Sequence, residues 1–258
     1  MNKDILFLFT TNDGYSIKML CDLLSHNIKS TLLSIQTDCI QMSSMDVNKN
    51  ILIFLTLESI EFLKYELRTD TLYYNINVSD LYKSIKDIKK KDQLEWIIYR
   101  DEPDILHLKI ITKDFNRIIS NRIKIQLSQN MSIERPTNYS LKPIILNSMD
   151  YHKTCKLLSS KGNDIKLSIN HINNYIKLTS LLDNAIISEV VIGNHSEQEF
   201  NFEEIYIQHK FIKSTKIATL SNKLKIYCEK DMPLLLESNI GSLGKIYMYM
   251  KSKLFITN

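Results

Sequence analysis

Two hydrophobic periods alternate along the chain. Ile17, Leu20, Cys21, Leu24 and Ile28 recur at helical spacing, and so do Val78, Leu81, Tyr82, Ile85 and Ile88, with Ser79 or Asn77 placed to cap the second run. In the second half Tyr151, Thr154, Cys155 and Leu158 form one apolar stripe, and Phe211, Ile212, Thr215 and Ala218 another. Between the helices the period falls toward two. TLLSIQT, ILIFLTL, FLKYELR, TLYYNIN, LEWIIYR, DILHLKI and RIKIQL read as strands in the first half. DIKLSIN, YIKLTSL, AIISEVVIG, EEIYI, KLKIYCE, PLLLES and GKIYMYM do so in the second. Residues 41–57, QMSSMDVNKNILIFLTL, read as polar alternation, a Ser-Met-Asp turn and then a buried strand. Two helices per half against many strands predict an α+β fold, with sheets on one side and helices gathered on the other.

The pattern also repeats. CDLLS at residues 21–25 returns as CKLLS at 155–159, KSIK at 83–86 as KSTK at 213–216, and IY at 98–99 as IY at 226–227, each roughly 130 residues later and in the same order. The chain therefore reads as two copies of one domain, residues 1–127 and 141–258. The polar, Pro-containing stretch SQNMSIERPTNYS at 128–140 is the connector between them.

Composition narrows the chemistry. The 258 residues are 44% hydrophobic and 24% charged, with only 5 Gly and 4 Pro, so the chain is folded and poor in linkers. No apolar run is long enough for a membrane helix, and ILFLFTT after Asp4 makes a first strand rather than a signal peptide. The 4 cysteines, Cys21, Cys39, Cys155 and Cys228, are scattered without a Cys-x-x-Cys pair, which predicts reduced thiols and no zinc site. Cys21 with His26, and His152 with Cys155, could be read as nucleophile and base. Both thiols fall on apolar stripes, however, and no phosphate loop, metal motif or paired-carboxylate signature accompanies them, so no catalytic, metal or cofactor site is expected. The net charge of +4 decides little, so the placement of lysine must decide. Lys18, Lys83, Lys86, Lys153, Lys156, Lys210, Lys213 and Lys216 all fall opposite the apolar stripes of the helices. On the first helix Met19 and Asp22 occupy the places that Lys153 and Lys156 hold in the repeat.

The residues carry a resemblance. QMSSMDVNKNILIFLTL, the lysine-bearing helix after YNIN, KDMPLLLES and GSLGKIYMYMKSK resemble, in order and spacing over essentially the whole chain, the eukaryotic-type DNA sliding clamp, the proliferating cell nuclear antigen family. The resemblance implies a ring-forming DNA clamp fold with two similar domains, assembled as a homotrimer. Helices would line a hole around duplex DNA and sheets would form the outside. It implies a processivity factor that tethers DNA polymerase and other replication proteins, is loaded by a clamp loader, and performs no chemistry. The eight lysines then become contacts to duplex DNA that ignore sequence, since flexible point charges neutralise phosphates without reading bases.

By the same resemblance Met45, Pro233 and Tyr249 line a groove for partner peptides, with Met131 or Ile133 on the connector as its lid. The connector lacks the family's usual sequence, and MKSK stands after Tyr249 where the family has an Ala-Pro pair. Residues 117–127 and 184–193 are the candidate edge strands for joining subunits, or else ordinary internal strands. An alternative keeps the fold and drops the closed ring: a monomeric processivity factor, a heterotrimer member or a transcription scaffold. The expected location is a nucleus or a viral replication factory, with no membrane partner.

Overall fold

The computed structural model describes residues 4–114, 116–130, 133–172, 174–193 and 200–257. Contacts divide the chain into two units. The first runs to residue 46 and takes in 53–134 and 239–246; the second comprises 47–52, 135–238 and the remainder from 247. The change at residue 134 falls inside the stretch predicted as the connector, while short segments near 50 and 240 are counted with the opposite half.

The first unit contains β1 (Ile5–Thr11), α1 (Gly14–Asn27), β2 (Ser30–Gln36), β3 (Cys39–Met45) and most of β4 (Ile51–Glu58). After a 3-10 turn at Ser59–Glu61 come β5 (Lys64–Leu67), β6 (Thr71–Asn77), α2 (Val78–Ile85), β7 (Gln93–Tyr99), β8 (Glu102–Ile111), β9 (Ile118–Lys124) and β10 (Gln126–Leu127). One sheet has the order β5-β1-β7-β8-β9, and β10-β6-β2-β3-β4 are neighbours in another. Phe7, Phe9, Trp96, Leu106 and Leu108 bury the inner face of the first sheet, with the Phe9 and Trp96 rings 4.9 Å apart.

The second unit contains β11 (Ile144–Asn147), α3 (Ser148–Leu158), β12 (Asp164–Asn170), β13 (Tyr175–Leu182), β14 (Ala185–Ile192), β15 (Phe202–Ile207) and α4 (Gln208–Lys213). A 3-10 helix at Ser214–Thr219, β16 (Lys223–Tyr227), β17 (Leu234–Ile240), β18 (Gly244–Met250) and α5 (Lys253–Thr257) complete the chain. The order β14-β13-β12-β15 makes one sheet, and β17-β16-β11 are neighbours in another.

Connectivity confirms the duplication. The strand before each first helix pairs antiparallel with the strand after each second helix, β1 with β7 and β11 with β16. The strand after each first helix lies between the next strand and the one leading into the second helix: β2 between β3 and β6, β12 between β13 and β15. The chain thus has an α+β fold of two similar domains.

Three expectations are corrected in detail. The strand before the turn near residue 46 runs through Met45, because Met42 and Ser44 alternate inward against Gln41 and Ser43; the turn comes later, with Lys49 at φ +54°. The run from Ile51 to Leu57 is not buried on both faces: Ile51, Ile53, Leu55 and Leu57 point inward and the residues between them are half-buried. The fourth helix is α for only six residues and then winds as 3-10.

Candidate nucleic-acid interface and partner surfaces

In the first unit α1 and α2 form the lysine-bearing layer. Asp13 caps α1, its Oδ1 accepting from the Ser16 amide at 3.3 Å. A Cβ on Gly14 would stand 2.9 Å from Leu94 Cβ, so glycine lets the first turn press against β7. Asn77 caps α2 by accepting from the Asp80 amide at 3.1 Å. The predicted stripes are buried except at Tyr82, which is half-buried: Ile17, Leu20, Cys21 and Leu24 on α1, and Val78, Leu81 and Ile85 on α2, with Ile88 buried just past the helix end. Lys83 and Lys86 are exposed on the opposite side. Lys18 is engaged: its Nζ donates to the Ile88 carbonyl at 2.8 Å and lies 5.5 Å from the centre of the Tyr15 ring. Asp22, which replaces a basic residue of the repeat, faces His26 at 3.6 Å and the Tyr82 hydroxyl, whose pKa rises through burial and this carboxylate.

In the second unit Asn147 caps α3, accepting from the Met149 amide at 2.8 Å, and Tyr151, Thr154, Cys155 and Leu158 are buried as predicted. Lys153 and Lys156 are exposed. The Tyr151 and Ser214 hydroxyls lie 2.9 Å apart in the core, joining α3 to the 3-10 helix. Phe211, Ser214, Ile217 and Leu220 are buried, a spacing of three that follows 3-10 winding and differs from the predicted α stripe of Phe211, Ile212, Thr215 and Ala218. Lys213 is exposed and Lys216 half-buried. Lys210 departs from its expected outward place. It retains 8% exposure in the first turn of a helix packed on β12 and β15, where neighbouring chain covers its stem.

The expected partner residues lie in separate units. In the first, Met45 ends β3 with 44% exposure, and Ile133 lines a small cavity of about 180 Å³ with Leu32, Gln41, Phe54 and Tyr73. Met131 lies outside the described residues. In the second unit Tyr249 donates to the Pro136 carbonyl at 3.0 Å, and Tyr139 donates to the Pro233 carbonyl at 2.6 Å. The Arg135 guanidinium lies 4.2 Å from the centre of the Tyr247 ring. The Ser140 amide and hydroxyl both donate to the Glu229 carboxylate, at 2.8 and 2.6 Å. These bonds hold the Glu229 carboxyl below the usual carboxylate range, and burial pushes Tyr249 up to about 12. Sequence reasoning missed Arg135, Tyr139, Glu229 and Tyr247. No local pattern signals them, because the hydrogen bonds here join residues 89 or more apart.

Both candidate joining segments are edge strands. Among the described residues β9 pairs only with β8; it carries exposed Ile118, Arg122 and Lys124, with exposed Arg117 just before it. Among the described residues β14 pairs only with β13; it exposes Ile186, Ile187 and Val191, and its Glu189 is ion-paired with Lys177 of β13 at 3.3 Å. The catalytic pairings are disfavoured by geometry as well. His26 Nδ1 lies 2.8 Å from the Asp22 carbonyl, and burial raises the thiol of Cys21 far above its usual range and that of Cys155 to about 12. Among the described residues no cluster of three metal-ligating side chains occurs, and no helix is long and apolar enough to cross a membrane.

Comparison with known proteins agrees with this geometry. Over 95% of its length the chain is 20% identical to a "Probable DNA polymerase sliding clamp 1" of Paramecium bursaria Chlorella virus 1, covering 96% of that protein. It is 21% identical over 83% of its length to a "Probable DNA polymerase sliding clamp" of Acanthamoeba polyphaga mimivirus, covering 47% of that protein. The fold superposes on the crystal structure of proliferating cellular nuclear antigen from Entamoeba histolytica with a TM-score of 0.83 at 18% identity, covering 96% of this chain and 99% of the other. Residues 8–134 match the family profile described as the N-terminal domain of proliferating cell nuclear antigen. The chain belongs to the proliferating cell nuclear antigen family of DNA sliding clamps.

Proposed function

We propose that the chain is a polymerase processivity factor that assembles as a homotrimeric ring around duplex DNA. Like its family it is a scaffold and not an enzyme. The observation that supports the ring is that β9 in the first unit and β14 in the second are both long sheet edges with exposed apolar side chains. Different edges on one chain favour a head-to-tail contact, which must close into a ring or grow without limit. Ile118 on one edge and Ile186, Ile187 and Val191 on the other are exposed apolar side chains that such a contact would cover.

Duplex contact rests on Lys83, Lys86, Lys153, Lys156 and Lys213, which are exposed on the helices, with Lys216 half-buried beside them. Their attraction for phosphate is independent of sequence and screened by salt, as sliding requires. Lys18 and Lys210 contribute less, the first being bonded to a helix end and the second covered. Met45 and Ile133 in the first unit, and Pro233 and Tyr249 in the second, are the proposed contacts for replication proteins. The place of action is a nucleus or a viral replication factory, and a clamp loader is the expected partner for opening the ring.

Light scattering across a dilution series tests the assembly. A mass near three times 30.2 kDa is expected, and a stable species of 30.2 kDa would overturn the ring.

A further inference from the structure

The most basic segment of the first unit lies beyond α2 and outside the helical lysine rows. Lys89, Lys90 and Lys91 are all exposed, and none joins an ion pair among the described residues. The turn that presents them is rigid. The Asp92 carboxylate, 6% exposed, accepts from the Lys89 amide at 2.9 Å, and the Asp92 amide returns a bond to the Lys89 carbonyl at 3.1 Å. Lys91 is held at φ +77°, a left-handed conformation that lysine adopts only at a cost. Lys18 ties the preceding Ile88 carbonyl to α1.

A strained backbone position that presents a row of like charges to solvent points to a function for the turn. Beside the turn opens a cleft of about 490 Å³, lined by Asn12, Asp13, Tyr15, Glu61, Lys90 and Lys91 among others. The Tyr15 ring is half-buried there, with the Lys18 and Lys90 ammonium groups 5.5 and 5.8 Å from its centre. Lys91 also lines an adjoining cleft with Lys113.

The Asp13 carboxylate is already engaged by the Ser16 and Ser242 amides, but the Glu61 carboxylate and the Asn12 amide in the lining still make the cleft a poor site for a bare anion. They suit the donor and acceptor edge of a base whose phosphates lie on the surrounding lysines. A paired base cannot enter such a cleft, because its edge is already engaged and its faces are stacked. We infer that the turn and cleft bind an unpaired nucleotide of single-stranded nucleic acid, a contact separate from the duplex contact of the helical lysines. The inference deepens the proposed role at DNA and rests on it.

The test measures binding of the full-length protein to three labelled probes: an oligothymidine strand, an abasic strand of the same length, and a duplex. Lys89→Gln, Lys90→Gln and Lys91→Asn are combined, since asparagine tolerates the left-handed position and preserves the turn. The combination should weaken the thymidine strand by about tenfold or more and reduce its salt slope by about 2, at roughly 0.7 per phosphate contact, with duplex affinity within about twofold of native. Lys83→Gln with Lys86→Gln should show the opposite preference. Tyr15→Leu should abolish the native preference for thymidine over the abasic strand.

Equal binding of abasic and thymidine strands by the native protein would overturn the inference. So would a parallel loss on strand and duplex in the turn variant, or no loss on either. Absence of duplex binding together with a monomeric mass would instead count against the ring, because the single-strand contact lies within one unit and is measurable without assembly.

Discussion

At the scale of single residues, burial and hydrogen bonding decide what each reactive group can do. Cys21, Cys155 and Cys228 are buried with raised thiol pKa values, and Cys39 is pushed up to about 11, first by burial and then by Asp38. A thiol-reactive disulfide reagent at neutral pH should therefore label the native protein slowly at all four positions and fully after unfolding. Rapid labelling of one thiol in the folded state would contradict the assignment of these cysteines to the core.

Glu229 titrates with the opposite sign. Its folded pKa is depressed by the Ser140 bonds, so its contribution is present above the unfolded value near 4.5 and is lost as pH falls through the lower folded value. Proteolysis of residues 135–141 should accelerate on acidification through that window. Glu229→Gln should loosen the segment at neutral pH and abolish the acid response, and a native cleavage rate independent of pH would exclude the anchor.

At the scale of elements, the helices were legible where their neighbours in sequence determine them, and only there. Ile17, Leu20, Cys21 and Leu24 could be placed inward from spacing alone, because a regular α-helix turns the same face to the core along its length. The bond from Lys18 to Ile88 could not be anticipated, since it joins residues 70 apart whose approach depends on α1 packing against α2. The change from α to 3-10 at Ser214 was hidden because both windings place Phe211 inward, and only Ser214 and Ile217 reveal the tighter one.

That change makes Ser214 a structural joint. Ser214→Ala should destabilise the second unit by about 1–3 kcal/mol, because it leaves the buried Tyr151 hydroxyl with only the weakly bonding Cys155 thiol as a partner. Denaturant unfolding measures this, and a loss below about 0.5 kcal/mol would show that the pair contributes little. Lys210→Met should leave stability and duplex affinity nearly unchanged. Lys153→Gln with Lys156→Gln should weaken duplex binding and lower its salt slope by about 2, at roughly 0.9 per contact. Equal effects from both substitutions would mean that Lys210 reaches DNA despite its burial.

At the scale of the whole molecule, the duplicated topology was readable from CDLLS and CKLLS because the repeats kept a core cysteine and its leucines in register. Strand position within a sheet was not readable. Nothing in RIISNRIKIQL or NAIISEVVIG distinguishes an edge from a centre, since position depends on which partners the rest of the chain supplies. With β9 and β14 known to be edges, Ile186→Lys should prevent assembly while leaving thermal unfolding of the chain itself little changed. Scattering and calorimetry on the same sample check both halves of that expectation, and an intact assembly would remove β14 from the interface.

Because the two edges of one chain differ, damage to β14 leaves β9 able to engage a sound neighbour. In the proposed ring such a chain would not be a silent loss: it would occupy a place and block closure. In an equal mixture of sound and damaged chains joining at random, only about one ring in eight would contain no damaged member. A heterozygous or co-expressed defect would thus act as a poison, and its severity would report how many chains complete the circle.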